Sequence, residues 1–249
     1  MIVLLRSIIF NILFYTWTLL CGILFLPTLI LPRFWVLQIT KIWIYGVSLI
    51  CEYAGGLRLN IVGEDRLHNS PAIFAIKHQS SWETLIIYHL LNDPAIVLKQ
   101  ELLWIPFFGW YLQKMGMISL ARSKKTRLQD LKKLLTIADK AVAQKRPIVI
   151  FPEGTRSKPD QKSTYHSGIA SLYLHLGIPV VPVAHNAGLF WPRRGFLKYP
   201  GTITLELLDP IQPGLSRQEF MNELEYKIET KTNKLMKNIV LSKGYPKNA

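Results

Sequence analysis

Ala72-Ile73-Phe74-Ala75-Ile76-Lys77-His78-Gln79-Ser80-Ser81-Trp82-Glu83-Thr84 is the stretch that decides how the chain folds. Its first five residues form a short apolar run that ends abruptly at Lys77 and His78, the signature of a buried strand. Ser80 and Glu83 then stand at capping-box spacing, which starts a helix at Ser80. Strand, tight loop and helix together make half of a parallel α/β unit. Similar short runs recur at residues 95–98, 117–120, 147–151, 179–183 and 202–208, and residues 57–62 add a strand with period two. Helix-length segments lie between them. Leu128, Leu131, Leu134, Leu135, Ala138 and Val142 make one apolar stripe, with Thr126 and Gln129 as its capping pair. Phe220, Leu224, Ile228, Leu235 and Ile239 make another, opened by Ser216 and Glu219. The expectation is one α/β domain over residues 57–241, its mostly parallel sheet flanked by helices, with a loose tail at 242–249.

Upstream the composition changes. Residues 1–56 carry only Arg6, Arg33, Lys41 and Glu52 as charged groups, and Ser7 to Pro32 has none. That run is long enough to cross a bilayer; split near Pro27 and Pro32, it also reads as a helical pair lying in one leaflet. Trp17, Trp35, Trp43, Tyr15 and Tyr45 are ring types favoured at headgroup level. A cleaved signal peptide wants small residues before its cut, and Leu19-Leu20-Cys21 supplies none. A retained hydrophobic two-helix membrane anchor is therefore expected.

Across all 249 residues, 18% are charged and 49% hydrophobic, which excludes a disordered polymer. Cys21 and Cys51 cannot build a disulfide framework or a four-thiolate zinc site, and no metal site is expected. The net charge of +14 calls for an anionic partner: nucleic acid, phospholipid or a phosphorylated substrate. Lys227, Lys231, Lys234 and Lys237 line one face of the last helix, as a solvated stripe or a contact with acidic headgroups. The chain has no G-x-x-x-x-G-K loop, G-x-G-x-x-G, H-E-x-x-H or G-x-S-x-G elbow.

Two stretches could carry chemistry. His78 and Glu83 are five positions apart, about 140° around a regular helix, so on one helix they would not meet. They meet if His78 sits in the strand-to-helix loop and Glu83 in the first helical turn. A carboxylate on one imidazole nitrogen fixes the tautomer and leaves the other as a base. A helix cap beside a loop histidine fits the same residues. The second stretch, Ile148-Val149-Ile150-Phe151-Pro152-Glu153-Gly154-Thr155-Arg156-Ser157, ends a strand in glycine, hydroxyls and a guanidinium. Open α/β sheets bind ligands at the carboxyl ends of their strands. Arg156 offers a two-pronged donor for phosphate, although an ordinary turn would carry the same residues.

Together, an H-x-x-x-x-acid box and F-P-E-G-T-R about seventy residues later resemble the glycerolipid acyltransferases, in particular the bacterial 1-acyl-glycerol-3-phosphate acyltransferases. The resemblance runs from about Leu57 to Leu208 and takes in the segment from Lys99 to Gly109, that from Gly116 to Arg122, and Val180-Val181-Pro182-Val183. It implies acyl transfer from a thioester to the sn-2 hydroxyl of lysophosphatidic acid, yielding phosphatidic acid. His78 would be the general base and Glu83 its orienting partner. Lys99, Arg122 and Arg156 would hold the acceptor phosphate, with Glu153, Gly154 and Thr155 shaping that site. No cofactor is implied beyond the co-substrate, an acyl-coenzyme A or acyl carrier protein thioester. The anchor would sit in a bacterial inner membrane, with the catalytic domain facing the cytoplasm. Two departures stand out: most members carry aspartate where this chain has Glu83, and His166 replaces a basic residue in Tyr165-His166-Ser167-Gly168.

Other readings compete. Another lysophospholipid or glycerol 3-phosphate could be the acceptor, or the chain could bind an anionic ligand without turnover. A membrane-tethered nucleic-acid binder would use the basic run Arg122 to Arg127, but that run lacks the interleaved aromatics that stack bases, so no nucleic-acid partner is expected. A serine hydrolase would use Ser80 or Ser81. His68, His89, His166, His175 and His185 have no partner readable in sequence, and Trp191-Pro192-Arg193-Arg194-Gly195 is either a basic turn or a border of the headgroup site.

Overall fold

The computed structural model describes residues 1–68, 71–121, 127–159, 161 and 163–243. Strands β1 (Leu57–Val62), β2 (Ile73–Ile76), β3 (Ala95–Lys99), β4 (Ile118–Leu120), β5 (Ile148–Ile150), β6 (Val180–His185) and β7 (Gly201–Leu207) form one sheet in the order β1-β7-β6-β2-β5-β3-β4. Every neighbouring pair is parallel except β6 and β7. The helices are α1 (Ile2–Leu24), α2 (Arg33–Leu49), α3 (Trp82–Leu90), α4 (Phe108–Lys114), α5 (Arg127–Ala143), α6 (Gly168–Leu176), α7 (Ala187–Phe190) and α8 (Arg217–Lys243). A wider helical turn, Ile50–Gly55, extends α2.

Central strands β2, β5 and β6 are buried at every position, which is why their sequences run apolar without alternation. Alternation reappears in what each residue touches. Phe74 and Ile76 pack into one core with Phe10, Val47 and Ile87; Ile73 and Ala75 pack into another with Leu134, Ile169 and Phe220. The first core joins α1, the end of α2 and α3 to one face of the sheet, and the second joins α5, α6 and α8 to the other. Burying one such phenylalanine is worth about 1.5–3 kcal/mol.

Helix α3 begins at Trp82, two residues later than the capping pair suggested. The Ser80 hydroxyl accepts the Trp82 N–H at 3.1 Å, while the Ser80 N–H is donated to Glu83 at 2.8 Å. For α8 the expected box closes both ways: the Ser216 N–H reaches Glu219 Oε2 at 2.9 Å and the Glu219 N–H reaches Ser216 Oγ at 3.3 Å. That helix continues through Lys243, two residues into the segment read as a loose tail; residues 244–249 lie outside the described residues, as does Thr126. On its basic face Lys227 pairs with Glu223 and Lys231 reaches Glu206 of β7 at 2.6 Å, so part of that stripe ties the helix to the sheet.

Candidate active site

The parallel strands β2, β5 and β3 end on one edge of the sheet, where ligands of open α/β sheets bind. His78 follows β2 and Glu83 lies in the first turn of α3. The two meet: His78 Nδ1 is 2.9 Å from Glu83 Oε1. The same oxygen accepts the N–H groups of Gln79 at 2.9 Å and Ser80 at 2.8 Å. One oxygen thus ties down the strand-to-helix loop and orients the ring. Burial pushes the fully buried Glu83 carboxyl up, yet neighbouring histidines and these hydrogen bonds outweigh it, leaving the group ionised below the usual carboxylate range. The ring stacks on Phe151, centroids 4.3 Å apart, with Nδ1 engaged and Nε2 left for the cavity beside it.

Main-chain contacts fix the loop around His78. Its N–H is donated to Glu153 Oε1 at 2.7 Å, and its carbonyl accepts the Ser157 N–H at 2.8 Å. Glu153 is fully buried and is not among the residues lining the cavity, so its carboxylate serves the main chain of His78. Its other oxygen lies 3.4 Å from the Lys77 ammonium, which also meets Glu229 of α8 at 2.7 Å. A lysine 2% exposed needs such carboxylates, because an unpaired buried charge costs several kcal/mol, on the order of 3–5.

The cavity holds about 850 Å³. Ser81, Lys99, Gly154, Thr155 and Arg156 line it together with His78, as do apolar residues of α1, α2 and α4, among them Phe14, Ile44 and Leu112. Arg156 Nη1 donates to Ser81 Oγ at 2.6 Å, and Lys99 is exposed at the end of β3. Gly154 has φ +65°, a left-handed conformation that suits glycine and lets the loop turn back toward β5. Arg122, the remaining phosphate candidate, lies outside the described residues. Ser80 Oγ is occupied by the Trp82 N–H and Ser81 Oγ by Arg156. Among the described residues no hydrogen bond joins either serine to the His78 ring, so the geometry does not form a serine–histidine nucleophile.

Sequence reasoning missed Lys77 and left His185 without a partner. His185 is fully buried; its Nε2–H is donated to the Lys77 carbonyl at 2.7 Å and lies 3.9 Å from Glu83 Oε2, while Nδ1 accepts the Ala187 N–H. In sequence it stands only at the end of an apolar run, and its partners are set by the pairing of β2 with β6. His175 also has a partner, Asp139 at 2.9 Å, whereas His166 is exposed and contributes its N–H to the Pro152 carbonyl.

Burial holds His185 below the usual imidazole value and in its neutral form. As pH falls below ~6.5 the unfolded chain takes up a proton there that the folded chain refuses, so stability declines. Glu83, also lowered, extends the loss to more acid pH. Urea melts across pH 5 to 8 should show unfolding free energy falling toward acid, with a shallower slope in His185→Gln; equal slopes would remove His185 as its source.

Three comparisons bear on this geometry. The profile of the Acyltransferase family matches residues 58–186. A 1-acyl-sn-glycerol-3-phosphate acyltransferase of Pseudomonas aeruginosa is 37% identical over 161 residues, covering 65% of this chain and 62% of that protein. The enzyme of that name from Escherichia coli is 26% identical, covering 61% of this chain and 62% of its own length. The matches thus span about three fifths of those relatives' lengths. The crystal structure of an LPA acyltransferase, PlsC, from Thermotoga maritima superposes with a TM-score of 0.74 over 92% of this chain and 96% of that one, at 19% identity, which speaks for a shared fold.

Proposed function

The chain belongs to the Acyltransferase family, and from that premise we propose that it moves a fatty acyl group from an acyl thioester to the sn-2 hydroxyl of 1-acyl-glycerol-3-phosphate, making phosphatidic acid. The observation that carries this reading is the Glu83–His78 pair opening on a cavity lined by both cationic and apolar side chains. His78 Nε2 takes the hydroxyl proton as that oxygen attacks the thioester carbon; the C–S bond breaks, and the imidazolium returns the proton to the departing sulfur. A thioester is already activated, so the step calls for no covalent enzyme intermediate. Glu83 stabilises the imidazolium, and Arg156 with Lys99 holds the acceptor phosphate so that its hydroxyl lies beside the ring. The donor is a coenzyme A or carrier protein thioester.

The anchor supports a seat in one leaflet of a bacterial inner membrane, with the catalytic domain in the cytoplasm. Two segments, Ile2–Leu24 and Arg33–Gly55, are long and apolar enough to cross a membrane. Yet α1 touches the catalytic domain in its first half, where Ser7 accepts the Lys198 N–H and Asn11 donates to the Phe196 carbonyl, and near its end, where the Gly22 carbonyl accepts from Tyr111. Arg33, at the start of α2, binds Asp93 and the Met115 carbonyl. A hairpin fastened at both ends lies along the domain, and its exposed Leu4, Ile8, Ile12, Leu19 and Trp35 face lipid. An acyl chain can then pass from the bilayer into the cavity between the helices.

Purified protein in detergent, given long-chain thioesters with several lysophospholipids and glycerol 3-phosphate, should yield phosphatidic acid from lysophosphatidic acid, identified by mass spectrometry. Product from another acceptor alone would reassign the substrate. Arg156→Ala should raise the acceptor KM about 10- to 100-fold, the worth of one or two charge-assisted hydrogen bonds. An unchanged KM and kcat would take Arg156 out of the phosphate site.

A further inference from the structure

Arg193 and Arg194 line the same cavity as His78, but on the other side of it in the fold. In the sheet order, β5 and β3, whose ends carry Arg156 and Lys99, lie on one side of β2; β6 and β7 lie on the other. The segment from Trp191 to Pro200 links α7 to β7. Because β7 runs antiparallel to β6, this segment sits at the sheet edge that carries His78. Cations therefore flank the base from two directions.

The arginine segment is built, not loose. Lys198, 2% exposed, donates its ammonium to the carbonyls of Gly195 and Phe196 at 2.9 Å and lies over the rings of Phe10 and Trp191. The Lys198 N–H binds Ser7 Oγ at 2.9 Å, Asn11 donates to the Phe196 carbonyl at 3.1 Å, and the Tyr199 N–H returns to Phe190. Ser7, Phe10 and Asn11 all belong to α1, so the membrane helix itself holds the segment in place. Arg194 sits at φ +59°, a left-handed conformation costing roughly 1–2 kcal/mol for a side chain of its kind. Among the described residues, neither guanidinium forms an ion pair. A strained, pinned turn that sets two arginines, neither ion-paired among the described residues, on the lining of that cavity is suited to a phosphate.

The proposed reaction, on which this inference rests, brings two anions to His78. The acceptor carries a phosphate, and both donor types carry one on the pantetheine arm that leads from the reacting sulfur. We infer that Arg193 and Arg194 bind the phosphate of the donor's pantetheine arm, so that acceptor and donor are gripped on opposite flanks of the base.

The test uses the full chain in detergent and one acyl group on four donors: coenzyme A, acyl carrier protein, 4′-phosphopantetheine and pantetheine, the last without phosphate. Wild type should use the three phosphorylated donors with kcat/KM at least about 10-fold above acyl-pantetheine. R193Q/R194Q should lower those three about 10- to 100-fold while leaving acyl-pantetheine turnover and the acceptor KM within about twofold. Unaltered discrimination between donors, or an equal rise in acceptor KM, overturns the assignment. So does a loss confined to one carrier, which would place the grip on that carrier. Calorimetry with an S-alkyl thioether of 4′-phosphopantetheine, without acceptor, separates the two claims. If wild type binds it and the double variant does not, while no donor is turned over, the anion site stands and the acyl-transfer reading falls.

Discussion

His78→Ala should lower kcat by about 10²–10⁴-fold, the usual worth of general-base assistance, with the fold intact. The two effects separate because the loop's clamps are on the main chain. Glu153 binds the N–H of residue 78 and Ser157 its carbonyl, and both contacts survive loss of the ring. Glu83 Oε1 would lose one of its three donors and keep the N–H groups of Gln79 and Ser80. Among the described residues, neither His185 nor Ser81 can substitute. His185 is fully buried with both ring nitrogens engaged, and Ser81 is tied to Arg156. Single-turnover assays alongside thermal melts check both halves. Wild-type turnover in the variant would remove His78 as the base, while a lost melting transition would show that the ring also holds the core.

The sheet was legible because its strands are short, apolar and bounded by abrupt changes of polarity. Each of the expected runs became a strand within about two residues. Period gave the helices as well, although α3 started late. Capping-box spacing shows that Ser80 and Glu83 meet, but not that the glutamate oxygen would bind two successive N–H groups as well as an imidazole. Other parts were invisible for a physical reason. Lys77 reads as a surface lysine after a strand, yet it is buried because Glu153 and Glu229 arrive from 76 and 152 positions away in sequence to neutralise it. His185 was unreadable for the same cause: its partners, the Lys77 carbonyl and Glu83, are set by the pairing of β2 with β6. Glu153, grouped with the ligand surface by its motif, turned inward because the His78 N–H needs an acceptor there.

Glu83 offers the sharper test, since its carboxylate does two jobs with one oxygen. Glu83→Ala would leave the N–H groups of Gln79 and Ser80 unsatisfied beside a buried ring. At about 1–3 kcal/mol for each unsatisfied group, it should cost roughly 2–6 kcal/mol of stability along with most of the activity. Loss of both is equally what a purely structural tie on the loop would give, so alanine cannot decide. Glu83→Gln can. The amide oxygen still accepts the backbone N–H groups, so stability should fall by about 1–2 kcal/mol, but it bears no charge to balance an imidazolium, and kcat should fall about 10²–10³-fold. Glu83→Asp keeps the charge and shortens the reach by one bond, about 1.5 Å. Because this chain begins α3 where the longer side chain meets Nδ1 at 2.9 Å, aspartate should reduce activity here. Chemical denaturation run beside initial rates on the three variants distinguishes the roles. A glutamine variant with wild-type kcat and a lowered unfolding midpoint would mean that Glu83 only ties down the loop before α3, leaving the imidazole unaided.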